Sequence, residues 1–158
     1  MKTLISDYIN VREKYQDENW DLKEEIAFIP SNLELETNVY FYANSVKSLK
    51  TVFRNNDLSF DVVDNKEIGY QQLNSFEWIG PTLFFGASIL SENQHLISIS
   101  LSVIASYLTD FFRGISGDKK VKLDIVVEKE KNKTYKRIQF EGSVDSLKDL
   151  VDVIKAVK

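Results

Sequence analysis

Asp61 and Asp64 stand near the end of an apolar stretch, with Asn65 and Lys66 directly after them. Two acids and a lysine in this order can hold Mg²⁺ on the carboxylates while the lysine orients a nucleophile, as in some metal-dependent hydrolases and nucleases. Such a site needs further oxygen ligands. Asp57 is too close in sequence to supply one, and no pattern brings Glu34 or Glu36 alongside. A polar turn accounts for the same residues. His95 is the only histidine, which excludes a histidine metal cluster and HExxH. It has fifteen serines to choose from as a general base. Neither Gly86-Ala87-Ser88-Ile89-Leu90 nor Gly114-Ile115-Ser116-Gly117 completes the GxSxG elbow, so His95 reads as a surface or helix-start residue. Gly114 to Lys119 lacks the GKS/T ending of a phosphate loop and follows a helix instead of preceding one, so it reads as a linker. These patterns assign no catalytic residue, no metal ligand and no cofactor. A hydrolase or nuclease using Asp61 and Asp64 stands as the alternative.

The stronger pattern is a run of bases. Eight lysines and arginines fall between Lys119 and Arg137. Of these, Lys129, Lys131, Lys133, Lys136 and Arg137 are the candidate binding residues, suited to phosphates or to an acidic protein surface. Asp118, Asp124, Glu128 and Glu130 are interleaved with them. Tyr135 is the one aromatic nearby that could stack on a base, and the chain as a whole carries −4, so nucleic acid is disfavoured as a partner. A charged edge that keeps sheets from associating explains the same run.

The rest of the composition bounds the class. A chain of 158 residues with 43% hydrophobic residues can bury a sizeable core. There is no cysteine, which excludes disulfides and thiolate chemistry and fits a reducing cytoplasm. Met1 to Asp7 lacks the apolar core of a signal peptide, and a cytoplasmic protein is expected. Residues 1–80 carry −6 and residues 81–158 carry +2. The chain divides accordingly into an N-terminal α+β portion, 1–80, and an apolar helix with a hairpin–helix module, 81–158, within what can be one compact domain.

Periodicity supplies the elements. Leu4, Ile5, Tyr8, Ile9 and Val11 sit near helical spacing and predict a helix early in residues 2–24, with its exit at Asp17-Glu18-Asn19. Ile26–Ile29, stopped by Pro30, predicts a strand. Val39–Tyr42, a helix with Val46, Leu49 and Phe53 on one face, and Leu58–Val62 predict strand, helix, strand, the two strands pairing in parallel. Gly80-Pro81 predicts a break. Leu83–Leu90 fits helix or strand. Residues 96–103 alternate as a strand does, but the uncharged run from Asn93 to Thr109 is long for one, and length decides for a buried helix. Val121, Leu123, Ile125 and Val127, then Ile138 and Phe140, predict a hairpin. Leu147, Leu150, Val151, Ile154 and Val157 give the last helix an apolar face. The expected fold is α+β.

The segment 83–112 has two further readings. Its seventeen uncharged residues from Asn93 to Thr109 are at the lower limit for a membrane span, which would make the protein membrane-associated; the serines, asparagine and glutamine among them favour core or oligomer interface instead. The succession of an apolar helix ending Tyr107-Leu108-Thr109-Asp110-Phe111-Phe112, a basic hairpin, a Glu141-Gly142 turn and a short helix with Leu147 and Leu150 resembles small accessory modules of bacterial conflict and defence effectors. The resemblance covers residues 78–158 and implies a protein-interaction or adaptor role with a protein partner. The expected function is therefore a non-enzymatic cytoplasmic interaction or adaptor protein, self-associating through 83–112.

Overall fold

The computed structural model describes residues 1–63, 68–71, 77–115 and 119–157. The fold is α+β. Its elements are β1 (Lys2–Asp7), α1 (Val11–Asp17), β2 (Ile26–Ile29), β3 (Phe41–Ala43), α2 (Val46–Asn55), β4 (Gly69–Gln71), β5 (Trp78–Phe85), α3 (Ala87–Glu92), α4 (His95–Phe111), β6 (Val121–Glu130), β7 (Thr134–Gly142) and α5 (Leu147–Ala156). A five-stranded sheet in the order β1-β7-β6-β5-β2 joins strands from both halves of the chain. Only β5 and β6 run parallel within it.

One face of the sheet carries Phe28, Leu83, Phe85, Leu123, Ile125, Val127, Ile138 and Phe140. Ile97, Leu101, Ile104 and Leu108 of α4 and Leu147, Leu150 and Ile154 of α5 close over it. The apolar run from 93 to 109 is thus a core helix, as its length indicates. The strand-like alternation of its serines is coincidental: Ser100 is buried and turns its hydroxyl back to the Leu96 carbonyl. The second face has a separate cluster at one end. There Val11 and Tyr15 of α1 pack on Ala27, Ile29, Phe84, Val126 and Tyr135.

Three expectations change. The predicted early helix starts only at Val11, and residues 2–7 form an antiparallel edge strand on β7. An edge strand with both faces in solvent needs no alternation, and pairing with β7 overrides the helical spacing. The parallel partner of β3 is β4; residues 58–62 run beside β2, joined by a single bridge from Ala27 to Asp61. Gly80-Pro81 lies within β5, at a register shift between Ile79 and Thr82. A bulge admits a proline without an N–H to a central strand. At Gly80 a Cβ would come within 2.6 Å of the Trp78 ring and 3.0 Å of the Lys122 carbonyl, so glycine is required for close approach.

Candidate functional site

The hairpin bases separate into three environments. Lys131 and Lys133 are exposed at the β6–β7 turn and make no ion pair among the described residues. Lys129 is half-buried and donates to the Val157 carbonyl at the end of α5, where a cation complements the helix dipole. Lys136 pairs with Asp7. Arg137 donates through Nη2 to Asp124 Oδ2 at 2.6 Å and lies 3.8 Å from Glu34. Adjacent strand residues face opposite ways, so Lys136 and Arg137 lie on different faces of the sheet. Lys120 and Lys122 are likewise engaged, with Glu141 and Glu77.

Arg137 borders a cavity of about 250 Å³ between the second face and the small β3–β4 sheet, with Ser31, Gln71, Gly80, Thr82 and Asp124. The Tyr8 hydroxyl donates to Glu34 at 3.1 Å, and burial, then the Glu34 charge, hold its phenol far above its ordinary range. Two carboxylates flank the one guanidinium, leaving no surplus positive charge to attract an anion. Arg137 Nε is buried without a hydrogen-bond partner.

Glu128 is the other polar centre. Its side chain has no solvent exposure and accepts from Arg12 Nε (2.7 Å) and Nη2 (3.1 Å), Ala87 N (2.9 Å), Asn132 N (2.9 Å) and Tyr135 Oη (2.7 Å). Burial alone would raise its pKa. The donors, Arg12 first, outweigh burial and bring it down to about 2. A carboxylate with both oxygens so engaged has little capacity left for a substrate or metal. Tyr135, expected as an exposed stacking aromatic, is buried on this carboxylate. Arg12 also reaches Glu25 at 3.1 Å and lies over the Phe84 ring.

Asp61 Oδ2 accepts the backbone N–H groups of Lys23 (2.6 Å) and Glu24 (2.5 Å), which ties the loop before β2 to the bridge. Asp64 lies outside the described residues. Among the described residues no group of three or more His, Cys, Asp or Glu could hold a metal ion. His95 is the exposed first residue of α4. Among the described residues no helix is long and apolar enough to cross a membrane. Most apolar side chains of 83–112 are in the core; Ile99 and Phe111 are exposed.

The remaining feature is β1. Its outer edge pairs with nothing among the described residues. Tyr8 N donates to Tyr135 O, its direct opposite, so Lys2, Leu4, Ser6 and Tyr8 turn their backbone groups to β7. Thr3, Ile5 and Asp7 therefore point theirs outward. Leu4 is 61% and Ile5 46% exposed, two of the largest apolar side chains on the surface. At the opposite edge, the β2 backbone is engaged by Asp61. Sequence reasoning missed β1 as an exposed sheet edge. The usable signal was the β-branched Thr3 and Ile5 without any amphipathic continuation toward Ser6 and Asp7.

Comparison with known proteins finds no family model, no curated protein and no solved structure that matches this chain.

Proposed function

We propose that this chain is a non-enzymatic interaction module that binds a protein partner by strand addition along β1. The observation that carries the reading is the outer edge of β1, with outward backbone groups at Thr3, Ile5 and Asp7 beside the exposed Leu4 and Ile5. Main-chain hydrogen bonds along such an edge supply affinity, and the flanking side chains supply selectivity. The charged groups support the same reading, because Glu128, Asp124, Arg137 and Asp61 are occupied by one another or by backbone. An adaptor role, implied by the resemblance of residues 78–158, is the same class of function. The absence of cysteine favours a cytoplasmic setting.

The test is affinity purification of the tagged chain from its own cells, comparing wild type with Ile5→Lys. Partners recovered with wild type and lost with Ile5→Lys are the expected result. Partners retained in full by a folded Ile5→Lys would place binding elsewhere and overturn the reading.

A further inference from the structure

We propose that the strand added to β1 is β1 of a second copy of this chain, running antiparallel and centred on Leu4, so that two five-stranded sheets become one. This rests on the reading of β1 as the binding edge. The outward groups at Thr3, Ile5 and Asp7 constrain the pairing. Residues that exchange hydrogen bonds must both point outward, so an antiparallel self-pairing has its axis at a residue, not between two. Centred on Ile5, the pairing sets Ile5 against Ile5, but Leu4 against Ser6 and Thr3 against Asp7 of the second copy. Centred on Leu4, it sets Leu4 against Leu4 and Thr3 against Ile5. The second arrangement matches apolar with apolar and β-branched with β-branched, the pairs that stabilise a sheet.

Charge points the same way. Lys2 and Asp7 stand at opposite ends of β1, and Thr3 to Ser6 between them are uncharged. Antiparallel pairing on Leu4 brings the Lys2 end of one strand beside the Asp7 end of the other, so opposite charges share each end of the seam, with the two side chains on opposite faces of the joined sheet. A parallel pairing would bring like charges to the same end. The usual edge defences are missing from the middle of the strand: it has no proline, no lysine and no register shift against β7.

The chain has no cysteine, so single cysteines report the register directly. In the Leu4-centred pairing Leu4 meets Leu4 at a position with no hydrogen bonds, where Cα atoms lie about 4.5 Å apart and a disulfide can close. Sedimentation of wild type should show the mass doubling across a concentration series up to about 1 mM, where even a weak pairing is populated. Ile5→Lys and Ile5→Pro should both be monomeric; the proline removes an outward N–H and leaves the bonds to β7 in place. Leu4→Cys should cross-link to a dimer on mild oxidation, and Ser6→Cys should not. Thermal unfolding of each variant verifies that it is folded, and Ile5→Lys carries the test if the proline variant is not.

A wild type that stays monomeric throughout overturns the inference. The edge reading would survive that result if Ile5→Lys still lost a different partner. A dimer that persists in Ile5→Lys, with no Leu4→Cys cross-link, also overturns it by placing the interface elsewhere. Cross-linking of Ile5→Cys in place of Leu4→Cys overturns the proposed register.

Discussion

Arg12 donates through Nε to Glu128 at 2.7 Å, joining the first helix to a carboxylate that has no contact with solvent. The two residues are 116 apart in the chain. Their contact helps fix α1 across the β6–β7 hairpin, so the N-terminal helix completes the core on the second face of the sheet. The same carboxylate accepts Ala87 N at the start of α3 and Asn132 N at the hairpin turn. Asn132 has φ +62°, and the bond to Glu128 helps hold this left-handed residue in place.

Glu128→Gln should destabilise the fold by roughly 3–5 kcal/mol, because it removes the charge that compensates a mostly buried Arg12. The acid limb of stability should change as well. The carboxyl has an ordinary pKa of 4.5 and a folded value of about 2. A depressed folded value contributes stability above 4.5, which is lost as pH falls from 4.5 toward 2. The contribution at neutral pH is on the order of 3 kcal/mol. Urea unfolding at a series of pH values should show wild type losing stability over that window and Glu128→Gln losing less. Parallel curves would show that Glu128 is not the group responsible.

Gly80→Ala should cost about 1–3 kcal/mol, since the new methyl meets the Trp78 ring, Leu123 and a backbone carbonyl at once. The carbonyl cannot rotate away, so β5 or β6 must move. Chemical denaturation measures the loss, and the indole fluorescence of Trp78 should shift with it. A variant as stable as wild type would mean that the bulge absorbs the methyl.

Most of the elements were legible where burial imposes a period. Leu147, Leu150, Val151 and Ile154 all reach the core, as do Val121, Leu123, Ile125 and Val127. The Val126–Val127–Glu128 run breaks that alternation because α1 covers this end of the second face, a long-range fact that local spacing does not carry. β1 was misread for the opposite reason: its side chains are mostly exposed, so nothing selected a pattern. Of the five candidate binding residues, Lys131 and Lys133 are exposed and the other three are half-buried. The partners that occupy Lys129, Lys136 and Arg137 include Val157, Asp7 and Glu34, far away in sequence.

Asp61→Ala should cost about 1 kcal/mol, the usual effect of losing a side chain that caps backbone N–H groups. The amides of Lys23 and Glu24 lose their acceptor, and the loop before β2 loosens. Hydrogen exchange should quicken at those two amides first. Thermal shift with Mg²⁺ or Mn²⁺ should leave wild type and variant equally unaffected. Stabilisation of wild type by either metal, absent in Asp61→Ala, would instead favour the hydrolase or nuclease alternative.

Leu150→Ala tests the packing of the C-terminal helix. Leu150 is fully buried in the cluster that contains Leu123, Ile138 and Phe140 of the hairpin and Leu101 and Ile104 of α4. Removing it loses transfer free energy and leaves a cavity, together about 2–5 kcal/mol. The upper part of the range is expected, because α5 lies against both α4 and β7 and cannot collapse into the space from one side. Lys131→Ala, at the exposed turn, should stay within about 0.5 kcal/mol. The hairpin and α5 share their core with α4, so Leu150→Ala should lower the midpoint of one cooperative transition and create no separate early phase. Circular dichroism and tryptophan fluorescence, followed together through urea, distinguish the two outcomes. Non-coincident curves would mean that α5 detaches before the sheet unfolds, and a Leu150→Ala variant as stable as Lys131→Ala would refute the packing.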